Sequence, residues 1–225
     1  MNMLKIGEEM EIVDLSRPIT DNMYHFAGDP VPRVKPFSTI EEKGWALTQF
    51  TLGSHSGTHV DAPCHKISGG TTIDRVPLEK FIGEAIVLDL TYKNPGDAIT
   101  AKDLEKASGG RVKPSNIVLI LTGMAGYWGQ EEYLTKYPYL TEDAAKWLVD
   151  SKVKLVGVDW LTIEEFGSKG LAHHALLSAG IPIVENLVNL DKIKDERVLF
   201  ACFPIKLAGV DGAPVRAVAM RSKKP

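Results

Sequence analysis

Apolar residues recur along the chain in short runs rich in β-branched side chains, and polar segments separate these runs. Eight runs stand out: EIVDL (11–15), WALTQFTL (45–52), EAIVLDLTY (84–92), NIVLILTG (116–123), VKLVGVD (153–159), IPIVENL (181–187), RVLFACF (197–203) and VRAVAMR (215–221). Runs of this length and composition predict β-strands, and the most continuous ones predict strands that are buried on both faces.

Three segments between these runs carry helix signals. Thr100 can cap AKDLEKAS, with an aspartate three residues later and Gly109 as a stop. Thr141 can cap EDAAKWLVDS, whose first turn is acidic. The segment LAHHALLSAG predicts a short helix that ends at Gly180.

The interleaving of strands and helices predicts an α/β or α+β protein with a mixed sheet. One stretch, from about residue 17 to residue 44, is rich in proline and glycine and predicts a long irregular arm. Such an arm can carry function, or it can be a surface segment or a dimer contact. The length of 225 residues suffices for one large domain or two small ones, and we expect a single domain over residues 1–225 with a sizeable core.

Composition narrows the class of protein. Hydrophobic residues make up 44% and charged residues 24% of the chain, as in ordinary globular proteins. The net charge of -3 offers no basic surface for nucleic acid or for a membrane. Two cysteines cannot build a disulfide framework, and we find neither a signal-peptide pattern nor a long apolar span. We therefore expect a soluble cytoplasmic protein.

The segment HSGTHVDAPCH, residues 55–65, holds the chemistry of this sequence. In an extended chain alternate residues share a face, so His55, His59 and Asp61 would point the same way. Two imidazoles and a carboxylate suit Zn²⁺, or Mn²⁺ with more oxygen ligands, and leave a coordination position for water. Pro63 would end any regular strand, and His65 would remain as a spare histidine.

Other interpretations of the same segment fit less well. A zincin helix would need glutamate at position 56, where Ser56 stands, and Gly57 disfavours a helix. A nucleophile elbow would need serine at position 55. Cys64 and His65 are neighbours that would face opposite ways in an extended chain. A polar loop without a ligand would bury several titratable groups at high cost.

A second constellation follows at residues 173–190. Glu185 lies inside an apolar strand, where an unpaired carboxylate is costly, so we expect it to meet a cation, a metal or strong donors. His173 and His174 are adjacent on a helix and about 100° apart, so we expect one of them to face the site. Asp159, at the end of another strand, can bind a ligand or cap a turn; we favour the turn.

The segment H-S-G-T-H-V-D-A-P-C-H resembles the H-x-G-T-H-x-D-x-P-x-H signature of the cyclase-like metal-dependent hydrolases, a family that includes bacterial kynurenine formamidase and isatin hydrolase. The resemblance extends over most of the chain. It includes IVDLSRPITDNM, FAGDP, LTGMAGYWG, YLTEDAAKWLVDSKVKLVGVD and HHALLSAGIPIVENL. It implies a swivelling β/α/β fold with a mixed sheet or barrel core and flanking helices.

The resemblance also implies roles for individual residues. His55, His59 and Asp61 correspond to the ligands of a first divalent metal ion. Two further residues, His173 and Glu185, correspond to ligands of a second ion, with Asp61 bridging and Glu185 touching both.

The spare histidine, His65, corresponds to the catalytic acid/base. Phe26, in FAGDP, corresponds to a substrate-contacting aromatic that is tryptophan in the formamidase, and Leu121 stands where the family often has arginine.

These correspondences imply a metal-dependent amidohydrolase, with one or two zinc ions and manganese as the alternative. The implied substrate is a small aryl formamide such as N-formylkynurenine. Two rival hypotheses remain: a hydrolase of a cyclic amide such as isatin, and a non-catalytic protein with a structural metal. Aromatic residues near the motifs, namely Tyr24, Phe26, Tyr127 and Trp128, could wall an aryl pocket. Analogy further implies a homo-oligomer, a dimer or larger.

Overall fold

The computed structural model of the protein describes residues 10–194 and 196–223. Residues 1–9, the start of the stretch in which we find no signal-peptide pattern, lie outside the described residues. The strands are β1 (Met10–Asp14), β2 (Arg33–Ser38), β3 (Leu47–Thr51), β4 (His59–Asp61), β5 (Ile82–Asp89), β6 (Ala98–Ile99), β7 (Ile117–Leu121), β8 (Tyr139–Leu140), β9 (Leu155–Val158), β10 (Ile183–Glu185), β11 (Arg197–Ala201), β12 (Gly212–Pro214) and β13 (Val218–Ser222). The α-helices are α1 (Ile40–Lys43), α2 (Ala101–Ser108), α3 (Glu132–Thr135), α4 (Glu142–Asp150) and α5 (Leu171–Ser178).

Nine of these strands form one mixed sheet in the order β1-β13-β11-β5-β7-β9-β10-β4-β12. The four strands from β5 to β10 run parallel, and antiparallel strands flank them on both sides. The mixed sheet predicted from the sequence is therefore confirmed, and each of the eight apolar runs contains a strand. Short strands such as β6 and β12 were not predicted.

The three predicted helices are confirmed, together with their caps. Thr100 accepts a hydrogen bond from the backbone of Asp103, whose carboxylate in turn accepts one from the Thr100 backbone. Gly109 ends α2 in a left-handed conformation, with φ of 52°. Thr141 caps α4 through the Ala144 backbone. Helix α2 packs against β5 and α4, and α5 packs against α4.

Side-chain alternation along the central strands divides the core in two. In β7, Val118 and Ile120 face a cluster that α2, α4 and α5 cover, whereas Ile117, Leu119 and Leu121 face the opposite cluster. All nine strands of the sheet, and no α-helix among the described residues, contribute to this second cluster. The sheet therefore curls around its own interior, in keeping with the barrel-like core and flanking helices of the predicted fold.

The prediction of an irregular arm from 17 to 44 is wrong for its second half. Strands β2 and β3 pair as a separate antiparallel hairpin with a bulge between Pro36 and Ser38, and α1 joins them. Proline is tolerated there because each strand has only one partner. All of β3 is exposed, and Trp45 and Phe50 are 81% and 62% exposed, so this hairpin stands away from the two cores.

Among the described residues, we find no helix with the length and apolar character that crossing a bilayer requires.

Candidate metal centre

The candidate site is built on β4, which lies between β10 and β12. Val60 points into the core and is fully buried, so its neighbours His59 and Asp61 point together to the opposite face. Across the ladder, Glu185 of β10 is paired with His59. The alternation predicted from the sequence is confirmed for His59 and Asp61, and the strand pairing adds Glu185 on the same face.

His55 reaches this cluster by a different route from the one predicted. Residues 54–58 form turns and bends rather than an extended strand, and Gly57 has φ of +67°. That left-handed conformation favours glycine. The prediction of an extended chain from His55 to Asp61 is therefore wrong, although its outcome holds: His55 Nδ1 lies 2.8 Å from Asp61 Oδ1.

Helix α5 and the loop before it supply the other side of the site. His173 is buried, with Nε2 at 3.4 Å from Asp61 Oδ2 and 3.5 Å from Glu185 Oε1, whereas His174 is exposed. The Glu164 carboxylate accepts hydrogen bonds from the His173 backbone and lies 3.1 Å from His173 Nδ1. The Ile163 backbone N–H donates to Glu185 at 2.8 Å. The expectation that one of the two histidines faces the site is met by His173.

The buried polar atoms of this cluster fit a metal ion better than they fit one another. His59 Nε2 and Asp61 Oδ2 are buried and lack a hydrogen bond of acceptable geometry. His59 Nε2 lies 3.3 Å from Asp61 Oδ1 and 3.5 Å from Glu185 Oε2. Ligands at about 2.0–2.1 Å from a tetrahedral zinc ion lie roughly 3.3–3.4 Å apart. The donor atoms of His55, His59 and Asp61 all lie within 4.8 Å of one another, so these residues could hold a divalent cation.

The electrostatics of the cluster point the same way. Burial opposes the ionisation of Asp61, but His173, His55 and His59 hold the pKa of its carboxyl well below the usual range. Burial likewise opposes protonation of His59, yet the carboxylates of Asp61 and Glu185 raise its pKa to about 10. The two buried carboxylates therefore favour the protonated, positively charged form of the imidazoles. A bound divalent cation would supply this positive charge in place of the protons.

His65 lies at the rim of the cluster. It ends the short 3₁₀ turn Pro63–His65 that follows β4, as expected from a proline that stops the strand. Its ring centroid is 4.1 Å from that of His55 and 5.7 Å from that of His173. Its side chain is 33% exposed, so His65 borders both the buried cluster and solvent.

Sequence reasoning missed two carboxylates that support these histidines. Asp211 Oδ2 lies 2.9 Å from His55 Nε2 and 3.3 Å from His65 Nδ1. Burial opposes its ionisation, but the hydrogen bond with His55 lowers the pKa of Asp211 to about 2. Glu164 lies beside His173 in the same way that Asp211 lies beside His55 and His65. Their local sequences, V-D-G and I-E-E, carry no distinctive spacing; the one signal is an Asp-Gly pair before a strand.

A cavity of about 250 Å³ opens over the cluster. Its lining includes His55, His59, His65, His173 and Glu185, and the remaining residues are Phe26, Asp29, Leu161 and Thr162. Of the four aromatic residues proposed as pocket walls, Phe26 lies on this cavity, and it is 39% exposed.

The other proposed aromatic walls lie elsewhere. The Trp128 ring packs against Tyr24 and Tyr133, and the Arg17 guanidinium stacks over it at 4.1 Å. Tyr127 packs at the edge of the helix-covered core. The proposal that Tyr24, Tyr127 and Trp128 wall the substrate pocket is therefore not supported, because none of the three lines the described cavity.

Asp159 is a buried carboxylate with a structural role. It accepts hydrogen bonds from the backbone and hydroxyl of Thr122 and from the backbone of Gly123. Asp159 therefore stabilises a turn, as predicted. The turn is the one that follows β7, however, and not the one that follows Asp159 itself.

Comparison with known proteins identifies relatives of this chain. The family model described as "Putative cyclase" matches residues 13–165. A kynurenine formamidase from Bacillus cereus is 30% identical over 210 residues, which cover 92% of this chain and 96% of the relative. An uncharacterized protein from Methanocaldococcus jannaschii is 32% identical over 216 residues, which cover 94% of this chain and 100% of the relative.

Solved structures share the fold. A potential metal-dependent hydrolase with cyclase activity superposes with a TM-score of 0.79 at 30% identity, covering 96% of this chain and 100% of the other. An isatin hydrolase bound to a product analogue superposes with a TM-score of 0.87 at 23% identity, covering 96% and 94% of the two chains. From the matched family model and these relatives, we conclude that the chain belongs to the cyclase family of metal-dependent hydrolases.

Proposed function

We propose that this hydrolase cleaves the amide C–N bond of a small aryl formamide, such as N-formylkynurenine, to an amine and formate. The observation that carries the proposal is the largely buried cluster of three histidines and two carboxylates on β4, the turn before it, β10 and α5, with two orphaned polar atoms and a cavity above it. The similarity to a kynurenine formamidase along 92% of the chain supports the choice of substrate class.

In this proposal His55, His59 and Asp61 would hold a first metal ion, and zinc is our candidate because two imidazoles and a carboxylate suit it. The layout also supports a second ion. Asp61 directs Oδ1 toward His55 and His59 and Oδ2 toward His173. Glu185 directs Oε2 toward His59 and Oε1 toward His173. Each carboxylate thus faces both sides of the cluster, as bridging ligands would.

When bound, such an ion lowers the pKa of a water molecule from 15.7 to about 7 and polarises a carbonyl oxygen. The proton that the attacking water loses must reach the leaving nitrogen. His65 borders the cavity beside the cluster and is partly exposed, so its imidazole can accept that proton and deliver it to the amine. General acid–base help of this kind is typically worth about 10²–10⁴-fold in rate.

Phe26 supplies an apolar wall for the substrate. It lines the cavity together with Leu161 and Thr162. An aryl ring packed against Phe26 would keep its formamide group over the metal ligands, and aromatic pairs of this kind contribute about 0.5–1.5 kcal/mol beyond the buried area. The substitution Phe26→Ala should therefore raise KM for aryl formamides more than it lowers kcat.

The test combines metal analysis with a substrate panel. Purified protein is assayed for bound metal and then for hydrolysis of N-formylkynurenine, a second aryl formamide, isatin and an ester, before and after treatment with a chelator. We expect formamide hydrolysis that is lost on chelation and restored by zinc.

Three other results would argue against the proposal. Hydrolysis of isatin but of no formamide would make the enzyme a cyclic amide hydrolase. Bound metal with no hydrolysis of any panel substrate would support a structural metal. Activity that survives complete metal removal would refute the metal-dependent mechanism.

A further inference from the structure

Asp211 belongs to neither sequence motif, yet the backbone fixes it against the cluster. It immediately precedes β12, whose Gly212 is paired with Asp61 of β4. The Ala62 backbone N–H donates to the Asp211 carbonyl at 2.8 Å, which extends the ladder by one step. The Asp211 side chain therefore emerges beside the first residues after β4, where the chain turns toward His65.

One oxygen of Asp211 serves two imidazoles. Oδ2 lies 2.9 Å from His55 Nε2 and 3.3 Å from His65 Nδ1, and the centroids of the two imidazole rings are 4.1 Å apart. A carboxylate oxygen has lone pairs for two donors, so both contacts can be hydrogen bonds at once if each ring carries its proton on the nitrogen that faces Asp211.

We propose that Asp211 is a positioning residue that sets the tautomer and orientation of both His55 and His65. This inference rests on the proposed function, because it assigns His55 to the metal and His65 to proton transfer. When one ring nitrogen of a histidine donates a hydrogen bond to a carboxylate, the proton is fixed on that nitrogen. The other nitrogen is then free to bind a metal or to accept a proton.

The assignment has one consequence at each ring. With Nε2–H donating to Asp211, His55 presents the lone pair of Nδ1 on the side of Asp61, as a ligand must. With Nδ1–H donating to Asp211, His65 presents the lone pair of Nε2 to solvent or substrate, as a proton acceptor must. Partners of this kind in metal sites typically contribute about 10–100-fold to metal affinity or activity.

The first test reads the tautomer and needs no substrate. The six histidines of the zinc-loaded protein are labelled with ¹⁵N, and the ring signals of His65 are identified by their loss in His65→Ala. We expect protonated Nδ1 and unprotonated Nε2 at His65 in the wild type, and a shift toward protonated Nε2 in Asp211→Ala. A wild-type His65 protonated on Nε2 would overturn the proposal, whether or not the variant folds.

The second test separates the two roles of Asp211. In Asp211→Ala we expect zinc affinity and the zinc-saturated kcat each to fall about 10–100-fold, with little change in KM. In the His65→Ala background, Asp211→Ala should still weaken zinc binding but should cost less than about twofold in kcat. Equal kcat losses in both backgrounds would overturn the link to His65.

A matched control is Asp74→Asn, which removes an exposed carboxylate that accepts from the Gly209 backbone of the same loop. We expect this variant to have near wild-type zinc affinity and kcat. A loss as large as that of Asp211→Ala would show that any change in this loop has the same effect, and it would overturn the proposal. If no panel substrate is hydrolysed, the proposed function fails, whereas the tautomer of His65 still tests Asp211.

Discussion

Gly212 offers a sharp test of the metal centre, because the His55 ring lies directly against it. A Cβ atom added at Gly212 would stand 2.9 Å from His55 Cε1 and 2.8 Å from the Val60 carbonyl oxygen. Carbon atoms in contact prefer about 3.5–4.0 Å, so the His55 ring would have to move by roughly 0.6 Å or more. The Val60 carbonyl belongs to the middle of β4 and cannot yield without disturbing two ladders.

The expected size of the effect follows from these distances. Overpacking of this kind typically destabilises a protein by about 1–3 kcal/mol, or a few degrees to about 10 °C in Tm for a chain of this size. Metal ligands must be held within about 0.5 Å of their productive geometry. We therefore expect Gly212→Ala to weaken zinc binding, and with it activity at limiting zinc, by about 10–100-fold.

The assay is zinc titration of stripped protein by competition with a chromogenic chelator, followed by thermal unfolding with and without zinc. Gly126→Ala is the matched control: Gly126 is exposed, no atom lies within 4 Å of its added Cβ, and its φ is not positive. This control should bind zinc like the wild type. Wild-type zinc affinity in Gly212→Ala would show that His55 is not a tightly held ligand and would refute the argument.

Four further predictions follow from the same structure. His65→Ala should lower kcat by about 10²–10⁴-fold and leave the metal content unchanged; loss of metal would make His65 a ligand instead. Removing zinc should lower Tm, since a ligand at 100 times its Kd stabilises by about 2.7 kcal/mol; an unchanged Tm would contradict a folding-linked site. The carboxylate of Asp103 accepts from Lys93 and the Thr100 backbone, and although burial opposes its ionisation these bonds lower its pKa. Because the folded pKa lies below the unfolded value of about 3.9, this stabilisation is present above about pH 4 and lost as the pH falls further. Asp103→Asn should thus lower the free energy of unfolding by about 1 kcal/mol at pH 7 and by less near pH 3. A difference in unfolding free energy between variant and wild type that stays constant with pH would contradict this. Because the β2–β3 hairpin exposes large apolar side chains and a lone hairpin is marginally stable, sedimentation should show a homo-oligomer that Trp45→Glu weakens; a monomeric wild type would contradict this.

The sequence was informative where chemistry and periodicity coincide. The period of two in His59–Val60–Asp61 places both polar side chains on one face, and the structure has them there. The long apolar runs predicted the central strands because burial on both faces leaves a continuous signature. The carboxylate of Glu185 was detectable because a charge within an apolar strand needs compensation.

The rest could not be predicted because it depends on contacts between distant residues. His55 joins the cluster through a turn at Gly57, whereas the alternation of residues had predicted an extended chain there. Asp211 is 146 residues away from His65, and no local pattern connects the two. The hairpin of β2 and β3 was hidden by its prolines, which predict irregular structure unless the pairing partner is known.

The position of β4 within the sheet also has a consequence for how the protein is made. Both strands that flank it, β10 and β12, lie more than 120 residues further along the chain. A growing chain therefore releases the motif at 55–65 from the ribosome long before Glu185 and Asp211 are synthesised. Non-local pairings of this kind are slow to form, because the long intervening segment must first be closed into a loop. We expect a divalent metal ion to be captured only after translation has reached the C-terminal strands, so that incomplete chains stay metal-free.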